Sequence, residues 1–255
     1  MKIGMLISSI VLMMVAAPAW SQQIMTMGSD EWLPYVGTQK DRGYMIEVAD
    51  AIFEKRGIKI QINSYPWPRI LHMVRKGSLN AVPGMQKNQA SDFIMPDEPI
   101  GVDDAAFFVH QSNPWTYINI ESLRDKKLGV IKDYTYEKAI DAYITDNSAD
   151  SNRIHVAHGD DPYEQMVKLL QARRVDLIVA NPNVFLYKLA MMGVNGSAYK
   201  KIPIPNSANY VYIGFSPALK QSREYAKILS TGIIKMRKNG QLDILLKKYG
   251  IKDWK

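Results

Sequence analysis

The chain has 255 residues, of which 47% are hydrophobic and 22% are charged, which is typical of a globular protein with one large domain or two lobes. The sequence contains no cysteine, which excludes disulfide bridges, thiolate zinc sites, cysteine nucleophiles and iron–sulfur clusters. The formal net charge of +7 predicts no more than a mild attraction to anionic ligands or surfaces.

The N-terminus has the pattern of a secretory signal peptide, residues 1–21. Lys2 gives a positive start, residues 3–17 are mostly apolar, and Ala19 and Ser21 are the small residues that signal peptidase recognises. The apolar run is shorter than the roughly 20 residues that a membrane-spanning helix needs. We therefore expect cleavage near Ser21 and Gln22 and a periplasmic mature protein.

The following part of the chain alternates between strand and helix patterns. Apolar residues predict strands at 24–28, 58–62 and 79–83. Between them, apolar residues at helical spacing predict two helices, which end at Gly57 and Gly77. A β-α-β-α-β order of this kind predicts a sheet with helices packed on its faces.

A second series of elements follows the turn residues at 112–115. Strands are predicted at 127–131, 154–157 and 175–180. Each of these strands is followed by a predicted helix, and the three helices begin at Asp133, at Asp161-Pro162 and at Pro182.

The last part of the chain begins with an irregular stretch at 203–209. A strand is predicted at 210–215, followed by a long helix that ends at Asn239-Gly240 and by a short leucine-rich helix. The chain thus consists of two α/β modules with two connecting stretches between them, near 110–115 and 205–210.

Four segments of the sequence resemble, in this order, the bacterial extracellular solute-binding proteins of family 3, the polar-amino-acid type. They are WPRILHMVRKGSLNAVPG, SLRDKKLGVIKDYTYEKAI, EQMVKLLQARRVDLIVANPNVFLYKL and YVYIGFSPALKQSREYAKILSTGIIKMRKNGQLDILLKKYG. The resemblance implies a type II periplasmic-binding-protein-like α/β fold, in which two lobes, each a mixed sheet flanked by helices, are joined by two hinge strands. Residues 22–111 and 209–255 are then lobe 1, and residues 112–208 are lobe 2.

The resemblance also implies a function. A family member of this type captures a small polar solute by hinge closure and delivers it to an ABC-type permease in the inner membrane. Two alternatives stay open: a ligand-sensing component for a membrane sensor, and a dehydratase-like enzyme on the same fold. The sequence lacks the common catalytic and phosphate-binding motifs, so we expect no enzymatic activity, no cofactor and no metal. Its basic pairs are dispersed, so we expect no binding of nucleic acid. The protein is expected to be a monomer.

The ligand site is expected at the carboxyl ends of the strands, in the cleft between the lobes. Trp32 and Tyr35 follow the first strand and could stack on a ligand, or they could belong to a packed loop. Trp67 and Arg69 open the second helix. Trp67 lies on the apolar stripe, which favours packing in the core over contact with a ligand. Arg69 lies off that stripe, where it could bind an anionic group or remain solvated.

Five further residues are candidates for the cleft. Gly84 and Met85 follow the third strand and could present backbone groups to a ligand. Tyr134 and Thr135 begin a predicted helix, where they could bind an anion or simply cap the helix. The family uses this turn for the ligand's carboxylate. Asn181 stands where the family usually has an aspartate that pairs with the ligand's ammonium, and capping of the next helix is its alternative role.

A second departure from the family affects the carboxylate anchor. The stretch GMQKNQASDFIMPDEPI contains no arginine, and Gln89 or Ser91 stands where the family has one. Lys87 and Arg69 are the candidates to replace it. Because Asn181 also lacks a charge, an ordinary α-amino acid is not expected. The predicted ligand is a small polar molecule, either amino-acid-like or anionic.

Overall fold

A computed structural model describes residues 23–159 and 161–255. The predicted signal peptide lies outside these residues. Within the two described ranges, none of the helices combines the length and the apolar character that a membrane crossing requires.

The first of two mixed sheets contains the N-terminal strands and one C-terminal strand. Its members are β1 (Gln23–Ser29), β2 (Ile58–Ser64), β3 (Ala81–Met85), β4 (Gly101–Asp103) and β10 (Asn209–Phe215). The strand order is β2-β1-β3-β10-β4, and β10 runs antiparallel to both of its neighbours. Four helices belong to this part of the chain: α1 (Tyr44–Phe53), α2 (Trp67–Arg75), α6 (Ser222–Lys238) and α7 (Gln241–Lys247). We call this sheet with its helices lobe 1.

The second sheet contains the middle of the chain. Its members are β5 (Ala106–His110), β6 (Leu128–Ile131), β7 (Ile154–Ala157), β8 (Leu177–Ala180) and β9 (Tyr199–Pro203). The strand order is β7-β6-β8-β5-β9, and β5 runs antiparallel to β8 and β9. Its helices are α3 (Lys138–Asn147), α4 (Pro162–Gln171) and α5 (Pro182–Met191). We call this sheet with its helices lobe 2. The predicted α/β fold of two mixed sheets flanked by helices is confirmed.

The apolar patterns place the core of each lobe correctly. In β2 the isoleucines at 58, 60 and 62 are buried, while Lys59 and Gln61 between them are exposed. The apolar face of α1 is buried, and the following short 3-10 turn ends at Gly57, whose φ of 72° favours glycine. Gly232 of α6 packs directly on the Ile52 side chain of α1. These contacts fix lobe 1 around its sheet.

The two chain crossings between the sheets flank the cleft. The first lies at Asp104-Ala105, between β4 and β5, and the second lies between β9 and β10. The second agrees with the connection expected near 205–210. The first comes earlier than the predicted boundary between 111 and 112, because β5 pairs with β8 and β9 rather than with lobe 1. The turn residues at 112–115 follow β5 instead of marking the crossing.

The helix starts in lobe 2 follow the predictions at two of three places. Asp161 caps α4 by accepting a hydrogen bond from the Glu164 N–H at 2.9 Å, and Asn181 caps α5. The predicted N-cap at Asp133 is wrong. Asp133 has a φ of 62°, and α3 begins only at Lys138, where the Glu137 side chain accepts a hydrogen bond from Ala139 N–H. Residues 133–137 therefore form a loop after β6.

Candidate ligand-binding site

A cavity of about 930 Å³ lies between the lobes. Residues of both lobes and of both crossings line it, among them Trp32, Tyr134, Asp104 and Ser207. The loop after β1 and the loop after β6 both contribute, so the site lies at the carboxyl ends of strands, as expected. A volume of this order suits a small-molecule ligand.

The aromatic wall of lobe 1 is built on Tyr35. The rings of Trp32 and Tyr35 are parallel, with centroids 4.0 Å apart and an interplanar angle of 5°. Trp32 lines the cavity, whereas Tyr35 is fully buried beneath it. The indole also lies against Gly84, where a Cβ atom would be 3.6 Å from the ring. Gly84 itself lines the cavity and has a φ of 86°. The stack therefore holds Trp32 in a fixed orientation.

The Tyr35 hydroxyl joins the two lobes. It donates a hydrogen bond to the carbonyl of Val102 at 2.8 Å. It also accepts hydrogen bonds from the side-chain amides of Asn183 at 2.8 Å and Asn181 at 3.1 Å, both at the start of α5. Burial holds the pKa of Tyr35 well above its ordinary value, so the hydroxyl keeps its proton. We call these contacts the interlobe network.

Asn181 uses its entire hydrogen-bonding capacity within the protein. Its side-chain oxygen accepts from the N–H groups of Asn183 and Val184 at 2.9 and 3.1 Å. Its side-chain nitrogen donates to the Tyr35 hydroxyl and, at 2.8 Å, to Oδ1 of Asp103. A carboxamide has two donor hydrogens and two acceptor lone pairs, so none is left for a ligand. The geometry favours the capping role of Asn181.

Asp103 ends β4 on the floor of the cleft. Burial raises the pKa of Asp103, the hydrogen bond from Asn181 partly offsets this effect, and the charge of Asp104 raises it further. Within the described ranges, Oδ2 of Asp103 has no hydrogen-bond partner, while Asp104 has Lys201 at 3.7 Å. Asp103 thus presents a half-buried carboxylate to the cavity. In the sequence, Asp103 and Asp104 are two adjacent acids between short apolar runs, a pattern that does not by itself predict a site.

The cleft wall is strongly acidic. Seven carboxylates line it, and Lys138 is the single cationic side chain among the lining residues described. The carboxylates are Asp30, Glu31, Asp103, Asp104, Asp133, Glu137 and Asp141. This charge is opposite in sign to the net charge of the chain. An attraction to anions, as the overall charge suggested, does not hold for the cleft.

The structure brings six of the nine candidate residues to the cavity. They are Trp32, Trp67, Gly84, Tyr134, Thr135 and Asn181. Tyr35 lies directly beneath the wall. Met85 is fully buried in the core and does not line the cavity, because its side chain faces the apolar side of β3. Tyr134 and Thr135 lie in the loop before α3, so they do not form the anion-binding helix N-terminus that the sequence suggested.

The cations that were candidates to replace the family arginine lie elsewhere. The guanidinium of Arg69 lies 4.7 Å from the centre of the Tyr65 ring, and Nζ of Lys87 lies 4.7 Å from that of Tyr212. Neither side chain lines the cavity. Gln89 does line it, but its side-chain oxygen accepts a hydrogen bond from the Gln86 N–H at 2.9 Å. The expected arginine site therefore holds a neutral amide.

The family model for bacterial extracellular solute-binding proteins, family 3, matches residues 25–252. The chain belongs to this family. The family is described as extracellular and solute-binding, which agrees with a protein that acts outside the cytoplasm. No curated protein matches the sequence.

Solved structures share the fold of this family 3 protein at low sequence identity. A polar amino acid ABC uptake transporter substrate binding protein from Streptococcus thermophilus aligns with a TM-score of 0.67 and 16% identity, covering 89% of this chain and 85% of that one. A probable amino-acid ABC transporter extracellular-binding protein from Bacillus subtilis aligns with a TM-score of 0.64 and 16% identity, covering 90% and 98%. A histidine kinase sensor domain aligns at 0.58 and 19% identity, covering 89% and 96%.

Proposed function

We propose that this protein is a periplasmic substrate-binding protein that captures one small polar solute and delivers it to an ABC-type permease. The observation that carries the proposal is a single cavity lined by both lobes and by both chain crossings. A ligand in such a cavity contacts both lobes together only when they are closed. It therefore stabilises the closed arrangement by its differential affinity for that arrangement.

The contacts proposed for the ligand come from both lobes. Trp32, Trp67 and Gly84 form the lobe 1 side of the cavity, and Tyr134 and Thr135 form the lobe 2 side. The backbone N–H of Trp67 donates to Oδ2 of Asp30 at 3.1 Å, which ties the start of α2 to the loop after β1. Aromatic rings on both sides suit a solute with an apolar body and a polar or charged end.

A thermal-shift screen of the protein purified from the periplasm tests solute capture. The panel contains amino acids, amines, carboxylates, small peptides and aromatic metabolites. A ligand at 100 times its Kd stabilises the folded state by about 2.7 kcal/mol, which is a shift of several degrees at this size. Small-angle scattering with the best ligand should show a smaller radius of gyration. Absence of any shift, or a shift without contraction, contradicts capture by closure.

A matched pair of tyrosines controls this experiment. Tyr134 and Tyr210 are 45% and 48% exposed, but only Tyr134 lines the cavity. We expect Tyr134→Ala to reduce the ligand-induced shift and Tyr210→Ala to leave it unchanged. Equal effects of the two variants would argue against the proposed site.

Ligand sensing for a membrane kinase is the second candidate, since a histidine kinase sensor domain shares this fold. Uptake of the labelled ligand by a strain that lacks the gene separates the two. Lost uptake supports delivery to a permease. Normal uptake with a lost transcriptional response supports sensing.

A further inference from the structure

The charge of the cleft indicates the chemical class of the ligand. A cavity lined by seven carboxylates and one ammonium attracts cations, although the whole chain has a formal net charge of +7. The imbalance is therefore local to the site and is not a consequence of composition.

The protein itself leaves most of these carboxylates without a counter-charge. In the part of the chain that the structure describes, Asp104 is the one among the seven with a cationic partner within 4.0 Å, Lys201. Others accept hydrogen bonds from neutral groups, as Asp141 does from the Tyr136 N–H at 2.9 Å and Asp103 from Asn181. Such bonds orient the carboxylates and leave their negative charge in place.

Asp103 has the most favourable position for a ligand's positive charge. It is half-buried beside the first crossing, it is held by Asn181, and its second oxygen is free among the described residues. Burial raises the pKa of Tyr134, and the charges of Asp30 and then Asp103 raise it further, so both acids lie within electrostatic reach of that ring. Cations bind favourably beside aromatic rings, and Trp32 and Tyr134 line the same cavity.

A ligand carboxylate would find one cation in the cavity, the exposed Lys138 at the start of α3, against seven carboxylates. Arg69 and Lys87 stack on tyrosines outside the cavity, and Gln89 is neutral. A zwitterion would place its negative end among the carboxylates of the wall, where like charges cost several kcal/mol. A bare metal ion is also a poor fit, since the described residues contain no group of three or more His, Asp or Glu that could hold one.

We propose that the ligand is an organic cation with at least one protonated amine and no carboxylate, and that Asp103 binds the amine. This proposal rests on the proposed function of the cleft. The ligand of an amino-acid site carries a carboxylate, whereas the ligand proposed for this site does not.

Two pairs of compounds test the proposal, because each pair differs by one carboxylate. Cadaverine is lysine without its carboxylate, and agmatine is arginine without its carboxylate. We would titrate all four into the protein purified from the periplasm and measure Kd by calorimetry. The expected result is that at least one amine binds tenfold or more tightly than its parent amino acid.

Variants then locate the charge. Asp103→Asn keeps an oxygen that can accept from Asn181 but loses the charge, and should weaken amine binding at least tenfold. Asp146→Asn makes the same chemical change at an exposed position of α3 outside the cavity and should leave Kd unchanged. Glu31→Gln removes charge at an exposed lining position, where misfolding is not expected, and should weaken binding less than Asp103→Asn.

The outcomes separate this proposal from the function on which it rests. Tighter binding of lysine or arginine than of the matched amines overturns the cation proposal and leaves solute capture intact. No binding of any of the four also overturns it, whereas solute capture is judged by the wider panel. Equal affinities of wild type and Asp103→Asn, in a variant that melts normally, would overturn the role of Asp103.

Discussion

Removal of the Tyr35 hydroxyl should lower the free energy of unfolding, because this hydroxyl bonds to groups of both lobes. Tyr35→Phe keeps the ring, which is fully buried and stacked on Trp32 at 4.0 Å. It deletes one hydrogen bond to the Val102 carbonyl and two from Asn181 and Asn183. At 0.5–1.5 kcal/mol for each hydrogen bond, the expected loss is about 2–4 kcal/mol. For a chain of this size that corresponds to a fall in Tm of roughly 5–15 °C.

Thermal unfolding followed by circular dichroism measures this loss directly. Tyr210→Phe is the matched control, because Tyr210 is 48% exposed and its hydroxyl has no partner among the described residues. The two amide donors belong to lobe 2, so Tyr35→Phe should also increase the radius of gyration of the ligand-free protein. A fall in Tm within about 1 °C of the control would refute the reasoning, since it would mean that water replaces the three bonds at no cost.

Three further predictions concern other parts of the molecule. Gly232→Ala should lower Tm despite the better helix propensity of alanine, because the new methyl group would lie 2.5 Å from Ile52. The loss should be smaller in an Ile52→Ala background, which lacks both γ carbons of Ile52, and an equal loss in the two backgrounds would contradict this. Asp103→Asn should leave the Tm of the ligand-free protein equal or higher at pH 7, because burial raises the folded-state pKa of Asp103 and its ionisation therefore opposes folding. The difference in Tm should vanish below about pH 4, and a lower Tm of the variant at pH 7 would show that the charge stabilises the fold. Glu98→Gln should lower Tm at pH 7, because Lys255 and then Arg237 lower the folded-state pKa of Glu98. The difference in Tm between wild type and variant should be present above about pH 4.3 and be lost as the pH falls through the lowered pKa, so a difference that does not change with pH would argue against this.

The local patterns in the sequence were sufficient to predict most of the fold. Helical stripes with terminal glycines placed α1 and α2, and strand alternation placed β2. The strands β4, β5 and β9 were missed, and length alone is not the reason, since β6, β7 and β8 have four residues each and were predicted. β5 had a usable signal, the apolar run at 106–109, which matches a strand buried on both faces. The error at Asp133 arose because a good capping residue also tolerates a left-handed conformation.

The candidate site was harder to predict than the fold. Aromatic residues near strand ends were correctly placed at the cleft, because that position follows from the fold class. The acidic character of the wall was not predicted, since its carboxylates come from separate parts of the chain, such as Asp30, Asp103 and Asp141. Their proximity depends on the two crossings. Asn181 also could not be assigned from sequence, because its role depends on distant partners such as Tyr35.

The position of β10 has a consequence for the order in which the protein folds after export. All five strands of lobe 2 lie in one continuous stretch, residues 106–203, whereas lobe 1 needs β10 between β3 and β4. A chain that emerges with its N-terminus first can thus complete lobe 2 before β10 is available. Until then β4 lacks β10, its only sheet neighbour in the described structure. During that interval the unpaired edges of β3 and β4 are open to association with other chains. Truncation before residue 209 should therefore leave lobe 1 prone to aggregation.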